Sequence, residues 1–105
     1  VIIQPFTNSI INSRNIAVDP PILILEAMAC SKPVISSNVY SVSEFIINGY
    51  NGFVIDFNNH AEVIHALDSC NNKIGENART TILENFSITV VSNIIKNIYS
   101  KYNIL

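Results

Sequence analysis

Three short runs rich in β-branched residues, separated by stretches of helical character, constrain this fold more than any other feature of the sequence. They occupy residues 1–4, 33–36 and 52–55. Strands this short and apolar are typical of a sheet that is covered on both faces. Their alternation with helices indicates βαβ units with parallel pairing and right-handed crossovers. The sequence therefore predicts an α/β fold, with a Rossmann-like parallel sheet and flanking helices.

The first predicted helix covers residues 22–29 and has clear signals at its start. Pro21 suits the first helical position, and Asp19 is placed to cap the N-terminus or to favour it electrostatically. Because the helix is apolar nearly all round, we expect it to be buried on most sides. The preceding residues 7–19 are rich in Asn and Ser and show no sustained period, so we predict a loop there.

Further helices follow, each with a recognisable boundary. They are a short helix that ends at Ile47 after a cap at Ser41 or Ser43, a helix from a cap at Asn58 or Asn59 to about Ser69, one from about Asn72 to Asn85, and one capped by Ser87. The last helix keeps a helical period of apolar residues, namely Ile88, Val91, Ile94, Ile95, Ile98 and Tyr99.

Composition argues against several classes of function. The net charge of -2 and the isoelectric point near 5.5 do not suit nucleic-acid binding, which needs a basic face. Cys30 and Cys70 lie far apart, so we expect buried thiols in a reducing cytoplasm and no metal site. No run reaches the roughly 18 apolar residues that a membrane helix needs.

The start of the chain predicts a fragment or an excised domain. The first residues lack an initial Met and the features of a signal peptide, and the chain opens within a strand. Three strands also make a narrow sheet, so we expect further strands upstream. Residues 1–105 are accordingly interpreted as one partial domain.

The segment from Asp19 to Val34 carries the strongest chemical signal. It places a loop directly before a helix N-terminus, where free N–H groups and the helix dipole attract an anion. In an open parallel sheet, ligands bind at this same edge. Glu26 lies about one turn inside the helix, where a carboxylate needs partners. Ribose hydroxyls would be suitable partners; a cation or a neighbouring loop is the structural alternative.

Several short motifs stand in one order along the chain. They are Glu26-Ala27-Met28-Ala29-Cys30, Pro33-Val34-Ile35, Glu44-x-Ile46, Asn48-Gly49, Asn51-Gly52-Phe53-Val54, Ile74-Gly75-x-Asn77-Ala78-Arg79 and Glu84-Asn85-Phe86-Ser87. In order and spacing they resemble the retaining family 4 glycosyltransferases, within glycosyl transferases group 1, from Val1 to about Tyr99. The resemblance implies part of the carboxyl-terminal, donor-binding domain of a two-domain GT-B fold.

The resemblance also implies roles for individual residues. In that family the second glutamate of an E-x7-E pattern contacts the ribose of the nucleotide-sugar donor, and this role carries over to Glu26. The first glutamate contacts sugar hydroxyls; its position here is Val18, and Asp19 is the candidate substitute one residue later. Backbone N–H groups between the two positions meet the diphosphate. Here they belong to Ile22, Leu23 and Ile24.

Other positions match the family less closely. Glu44 corresponds to a position near the donor loop, although it would equally suit the first turn of its own helix. Ser31 replaces a glycine in the turn between helix and strand, and residues 39–41 replace a loop normally rich in glycine. If Ser31 has a positive φ, the lost glycine costs about 1 kcal/mol.

The implied activity is transfer of a hexosyl group from a nucleotide-diphosphate sugar to an acceptor with retention, without a metal or another cofactor. We expect this chain to hold no catalytic residue and to be inactive without an amino-terminal GT-B domain or partner chain. A cytoplasmic location is expected, with membrane association possible in this family but unsupported by any basic amphipathic helix here. The alternatives are a non-catalytic remnant or partner subunit without donor binding, and another GT-B enzyme such as a sugar-nucleotide epimerase.

Overall fold

The computed structural model describes residues 1–5, 10–11, 14–15, 22–39 and 41–103, with side chains described outside 10–15. The elements are β1 (Ile2–Gln4), β2 (Ile10–Ile11), β3 (Arg14–Asn15), α1 (Ile22–Ala29), β4 (Val34–Ser37), α2 (Val42–Phe45), β5 (Phe53–Ile55), α3 (His60–Ser69), α4 (Asn72–Asn85) and α5 (Ile88–Lys101). The main sheet is parallel, in the order β1-β4-β5. This confirms the predicted α/β fold.

The sheet is covered on both faces, and alternate side chains of its central strand β4 pack into two separate clusters. Val34 packs into a cluster with residues of α1, α2 and α4. Ile35, its neighbour, packs into a second cluster with Phe53, Ala66 and Ile74. The period-2 geometry of a strand therefore places the two cores on opposite faces of β4.

The predicted loop over residues 7–19 is wrong at four residues. Ile10–Ile11 and Arg14–Asn15 form a short antiparallel pair, with Ile10 opposite Asn15. Two adjacent β-branched residues suit the extended backbone that such pairing requires. The remainder of the predicted loop, including Val18 and Asp19, lies outside the described residues.

Helix α1 is less buried than its composition suggests. Ile24, Ala27 and Met28 are buried, whereas the side chains of Ile22 and Leu23 are 63% and 50% exposed. Among the described residues, α1 packs mainly against β1, β4 and α4, and these leave the side chains of Ile22 and Leu23 exposed. The expectation of burial on most sides is therefore wrong for the first turn.

Helix α2 ends earlier than predicted because a side chain competes for its backbone. The helix stops at Phe45, and Ile46 is already extended. The carboxamide of Asn51 accepts the N–H of Ile47 at 2.7 Å and donates to the carbonyl of Phe45 at 2.8 Å. Ser41 occupies the N-cap position, but its side chain makes no capping hydrogen bond.

The turn between α1 and β4 is a Schellman motif in which α4 takes part. The N–H of Ser31 bonds to the carbonyl of Met28 and the N–H of Lys32 to that of Ala27, both at 3.0 Å. Ser31 has φ of +59°, which is the left-handed conformation that glycine usually supplies. Gly75 of α4 lies so close that a Cβ there would collide with the carbonyl oxygen of Ser31.

The remaining helices begin as the sequence predicts. The side chains of Asn59, Asn71 and Ser87 accept first-turn N–H groups of α3, α4 and α5 respectively. In α5 the predicted helical period is present, yet no described residue of the helix is buried. Within the part of the chain that the structure describes, no helix has the length and hydropathy needed to cross a bilayer.

The two thiols differ in their surroundings. Cys30 is exposed in the turn after α1, so the expectation of two buried thiols is wrong there. Cys70 is half-buried at the end of α3, and its burial raises the pKa of the thiol.

Candidate functional site at the carboxyl edge of the sheet

A pocket of about 670 Å³ lies where the three parallel strands end. Each strand contributes the residues that follow it, beginning with Pro5 after β1, Asn38 after β4 and Asp56 after β5. Its lining consists of Pro5, Ser37, Asn38, Val39, Ser43, Ile46, Asn48, Val54, Ile55, Asp56, Phe57, Asn58 and Glu62. The volume is within the range of small-molecule sites, and the carboxyl edge of an open parallel sheet is where such ligands bind.

The wall formed by the loop between β5 and α3 is fixed by hydrogen bonds to its two carboxylates. Glu62 accepts the N–H of Asp56 at 2.9 Å, and Asp56 accepts the N–H of Asn58 at 2.9 Å. The side chain of Asn59 caps α3 and donates to Glu62 at 3.3 Å. Each carboxylate therefore stays beside the pocket, because Asp56 and Glu62 both accept a backbone N–H of the loop between β5 and α3.

A second wall is held by Asn48, whose carboxamide binds strand β5. It accepts the N–H of Val54 at 2.6 Å and donates to the carbonyl of the same residue at 3.4 Å. The loop that carries Asn48 is anchored to α4, because Asn51 donates to Thr81 at 2.9 Å and Asn77 donates to the carbonyl of Tyr50 at 2.9 Å. This part of the pocket is thus preorganised.

Helix α1 begins at the same edge of the sheet, because it connects the carboxyl end of β1 to the start of β4. Its first-turn N–H groups, from Ile22 onward, have no partner within the helix, as at any helix N-terminus. The far end of α1 is held by α4, where the guanidinium of Arg79 donates to the carbonyl of Ala29. A cation at that end also complements the helix dipole.

The predicted site residues are brought together only in part. Ile22, Leu23 and Ile24 form the first turn of α1, and Glu26 is exposed in the next turn. None of these four belongs to the lining of the pocket. Asp19 lies outside the described residues.

Glu44 faces a different cavity, of about 520 Å³. That cavity lies between α2 and the end of α4 and is also lined by Phe45, Tyr50, Glu84 and Phe86. Ser43, one residue earlier in the sequence, faces the pocket at the sheet edge instead. The short helix therefore sends consecutive side chains to two separate cavities.

The comparisons with known proteins agree with this architecture. Residues 11–81 match the family described as glycosyl transferases group 1. The chain belongs to this family.

Individual relatives point the same way. The chain is 42% identical over 62 residues to an uncharacterised glycosyltransferase of Methanocaldococcus jannaschii, covering 58% of this chain and 17% of that protein. It is 31% identical over 84 residues to the capsular polysaccharide biosynthesis glycosyltransferase CapM of Staphylococcus aureus. This match covers 74% of this chain and 22% of that protein. It is 32% identical over 84 residues to an Escherichia coli UDP-Gal:alpha-D-GlcNAc-diphosphoundecaprenol alpha-1,3-galactosyltransferase. This match covers 75% of this chain and 22% of that protein. The chain spans about a fifth of the length of these relatives.

Sequence reasoning missed most of the residues that line the pocket of this group 1 glycosyltransferase chain. Asn38, Asp56 and Glu62 were not singled out, although each follows a predicted strand or starts the helix after one. The rule that parallel strands present their carboxyl ends at one edge would have grouped the first two. Glu62 required knowledge of how α3 turns back toward β5.

The side chains that the structure describes around the pocket do not form a metal site. Among the residues that the structure describes, no cluster of three or more His, Cys, Asp or Glu side chains is placed to hold a metal ion. Polar side chains and backbone groups are instead the available partners, and these suit hydroxyl and amide groups of a ligand.

Proposed function

We propose that this chain forms part of the donor site of a glycosyltransferase that uses a nucleotide-diphosphate sugar. The observation that carries the proposal is the placement of the N-terminus of α1, with Glu26 in the following turn, at the edge of the sheet that also holds the pocket. Family membership supports a transferase acting on sugars. The N-terminus of α1 with Glu26, and the nearby pocket, suit a ligand with an anionic centre flanked by hydroxyl-rich groups.

In this proposal the diphosphate lies at the first turn of α1. The N–H groups of Ile22, Leu23 and Ile24 donate to its oxygens, and the helix dipole adds attraction. Glu26 accepts hydrogen bonds from the ribose diol, since a carboxylate can accept two donors at once. The exposure of Glu26 supports this assignment, because its carboxylate is accessible to a ligand.

The complete reaction requires more than the residues of this chain. We infer that the chain works with an amino-terminal GT-B domain or a partner chain, which supplies the acceptor site and the catalytic groups. Retention of configuration, membership of family 4, hexosyl specificity and a cytoplasmic location belong to the same proposal. The names of two relatives support sugar transfer. One relative is named for capsular polysaccharide biosynthesis, and the other for galactosyl transfer from UDP-Gal to GlcNAc-diphosphoundecaprenol.

Calorimetric titration of the 105-residue chain with UDP and with GDP tests the donor site. We expect binding of one nucleotide, and at least about tenfold weaker binding after Glu26→Ala, because a charge-assisted hydrogen bond contributes about 1.5–3 kcal/mol. Glu76→Ala is the matched control, since Glu76 is an exposed glutamate on α4. Unchanged affinity in Glu26→Ala would contradict the ribose contact.

A non-catalytic partner subunit is the second candidate, favoured by Ser31 in a left-handed turn where the family carries glycine. This candidate predicts that neither nucleotide binds, even though circular dichroism shows a folded chain. Binding of either nucleotide would exclude a chain that has lost its donor site.

A further inference from the structure

Among the residues that the structure describes, the charged side chains lining the pocket at the sheet edge are all acidic. Its charged lining residues are Asp56 and Glu62, and none of the basic side chains that the structure describes lines it. The remaining polar lining is neutral and comes from Ser37, Asn38, Ser43, Asn48 and Asn58. The described wall of the pocket therefore offers hydrogen-bond partners together with a negative potential.

Each of these carboxylates is held beside the pocket by a hydrogen bond to the backbone of the loop between β5 and α3. Glu62 holds the N–H of Asp56 at 2.9 Å, and Asp56 holds the N–H of Asn58 at 2.9 Å. These donors are neutral backbone groups, so they fix the carboxylates without cancelling their charge. An anionic group that entered the pocket would meet both charges at their fixed positions.

We propose that this pocket receives the sugar ring of the donor and selects an uncharged sugar over one that carries a carboxylate. This inference rests on the proposed donor site, in which the diphosphate lies at α1 and not in the pocket. A neutral hexose offers hydroxyl groups to the amides of Asn38 and Asn48 and to the carboxylates. A hexuronate brings a negative charge toward Asp56 and Glu62 and is repelled.

The selectivity is modest in size because the pocket is open to solvent. Like charges several ångströms apart in water repel by a fraction of a kcal/mol, which corresponds to about threefold per carboxylate. Two carboxylates therefore disfavour the anionic sugar by about tenfold at low ionic strength, and added salt weakens the effect.

Competition calorimetry with UDP-glucose and UDP-glucuronate tests this inference, because the two donors differ only at C6. If the chain prefers GDP, GDP-mannose and GDP-mannuronate replace them. We expect the uronate to bind about tenfold more weakly than the neutral sugar in low salt. In the double variant Asp56→Asn, Glu62→Gln this gap should shrink to about twofold or less.

Glu76→Gln is the matched control, since it removes one exposed carboxylate outside the pocket and should leave the gap unchanged. Equal affinity for neutral and anionic sugars in the natural chain would overturn the selectivity while leaving the donor site intact. A gap that persists in the double variant would also overturn the assignment to these carboxylates. Failure of UDP and GDP themselves to bind would overturn the donor site and this inference with it.

Discussion

Helices α4 and α5 have the same length but play opposite parts in the structure. Each has 14 residues and an N-terminal side-chain cap, from Asn71 at 3.0 Å and from Ser87 at 3.3 Å. Helix α4 buries Ile74, Gly75 and Ala78 against its neighbours, whereas no described residue of α5 is buried. Caps and periodicity thus define a helix, but its burial depends on what the rest of the fold places beside it.

Helix α4 is held because it fits the turn after α1. Gly75 permits close approach to Ser31, and Arg79 binds the carbonyl of Ala29. Through these contacts α4 fixes the helix whose N-terminus forms the proposed phosphate site. Helix α5 has few contacts with α4 and bears on the site only indirectly.

Among the variants in the contact between α4 and the turn after α1, the largest effect is expected at Gly75. Gly75→Ala would stabilise an isolated helix by about 1 kcal/mol, but here the added methyl group collides with the backbone of Ser31. We expect a net loss of about 2–3 kcal/mol in the free energy of unfolding, measured by urea denaturation. Glu76→Ala, at the next and exposed position, serves as the control. A Gly75→Ala chain as stable as the control would contradict the close packing of α4 on the turn.

A smaller effect of opposite sign is expected at Ser31. Its φ of +59° at the position after the helix favours glycine, so Ser31→Gly should stabilise the chain by about 1 kcal/mol. The midpoint temperature of thermal unfolding should then rise by about 4–8 °C. Ser31→Ala keeps the Cβ and should give no such gain. A lower melting temperature for Ser31→Gly would mean that the turn differs from the one described.

The smallest effect is expected on α5. Ile94 is 52% exposed, so Ile94→Ala should change the free energy of unfolding by less than about 0.5 kcal/mol. Ile74→Ala removes the same atoms at a position on α4 that is 5% exposed, and should cost about 2–4 kcal/mol. Equal losses for the two variants in urea denaturation would show that the apolar side of α5 is buried in solution.

The sequence predicted elements well where the signal was local. The bounds of α1 were predicted at the observed residues, with Pro21 marking its start, and those of α4 were predicted near the observed residues. The end of α2 was not predicted correctly. The carboxamide of Asn51, several residues later, accepts the N–H of Ile47 and donates to the carbonyl of Phe45. The exposure of Ile22 depends on the elements that pack beside α1. The residues of the helix itself do not indicate which elements these are.

Of the candidate site, the sequence indicated only the helical end, and the roles of its residues stay a prediction. Glu26 and the first turn of α1 follow from a loop-to-helix junction and from family resemblance. The pocket combines loops after three strands with Glu62 of α3, so its lining depends on the register of the sheet. Glu44 and Ser43 face different cavities, which follows from the orientation of a single helical turn.

Hydrogen exchange of the 105-residue chain, with and without UDP or GDP, tests the central claim most directly. The account predicts added protection of the amides of Ile22, Leu23 and Ile24 when the nucleotide binds, with exchange in α5 unchanged. Glu26→Ala should reduce that protection at equal nucleotide concentration. Nucleotide-dependent protection confined to α5, or its absence from the first turn of α1 in a chain that binds nucleotide, would contradict a donor site built on this helix.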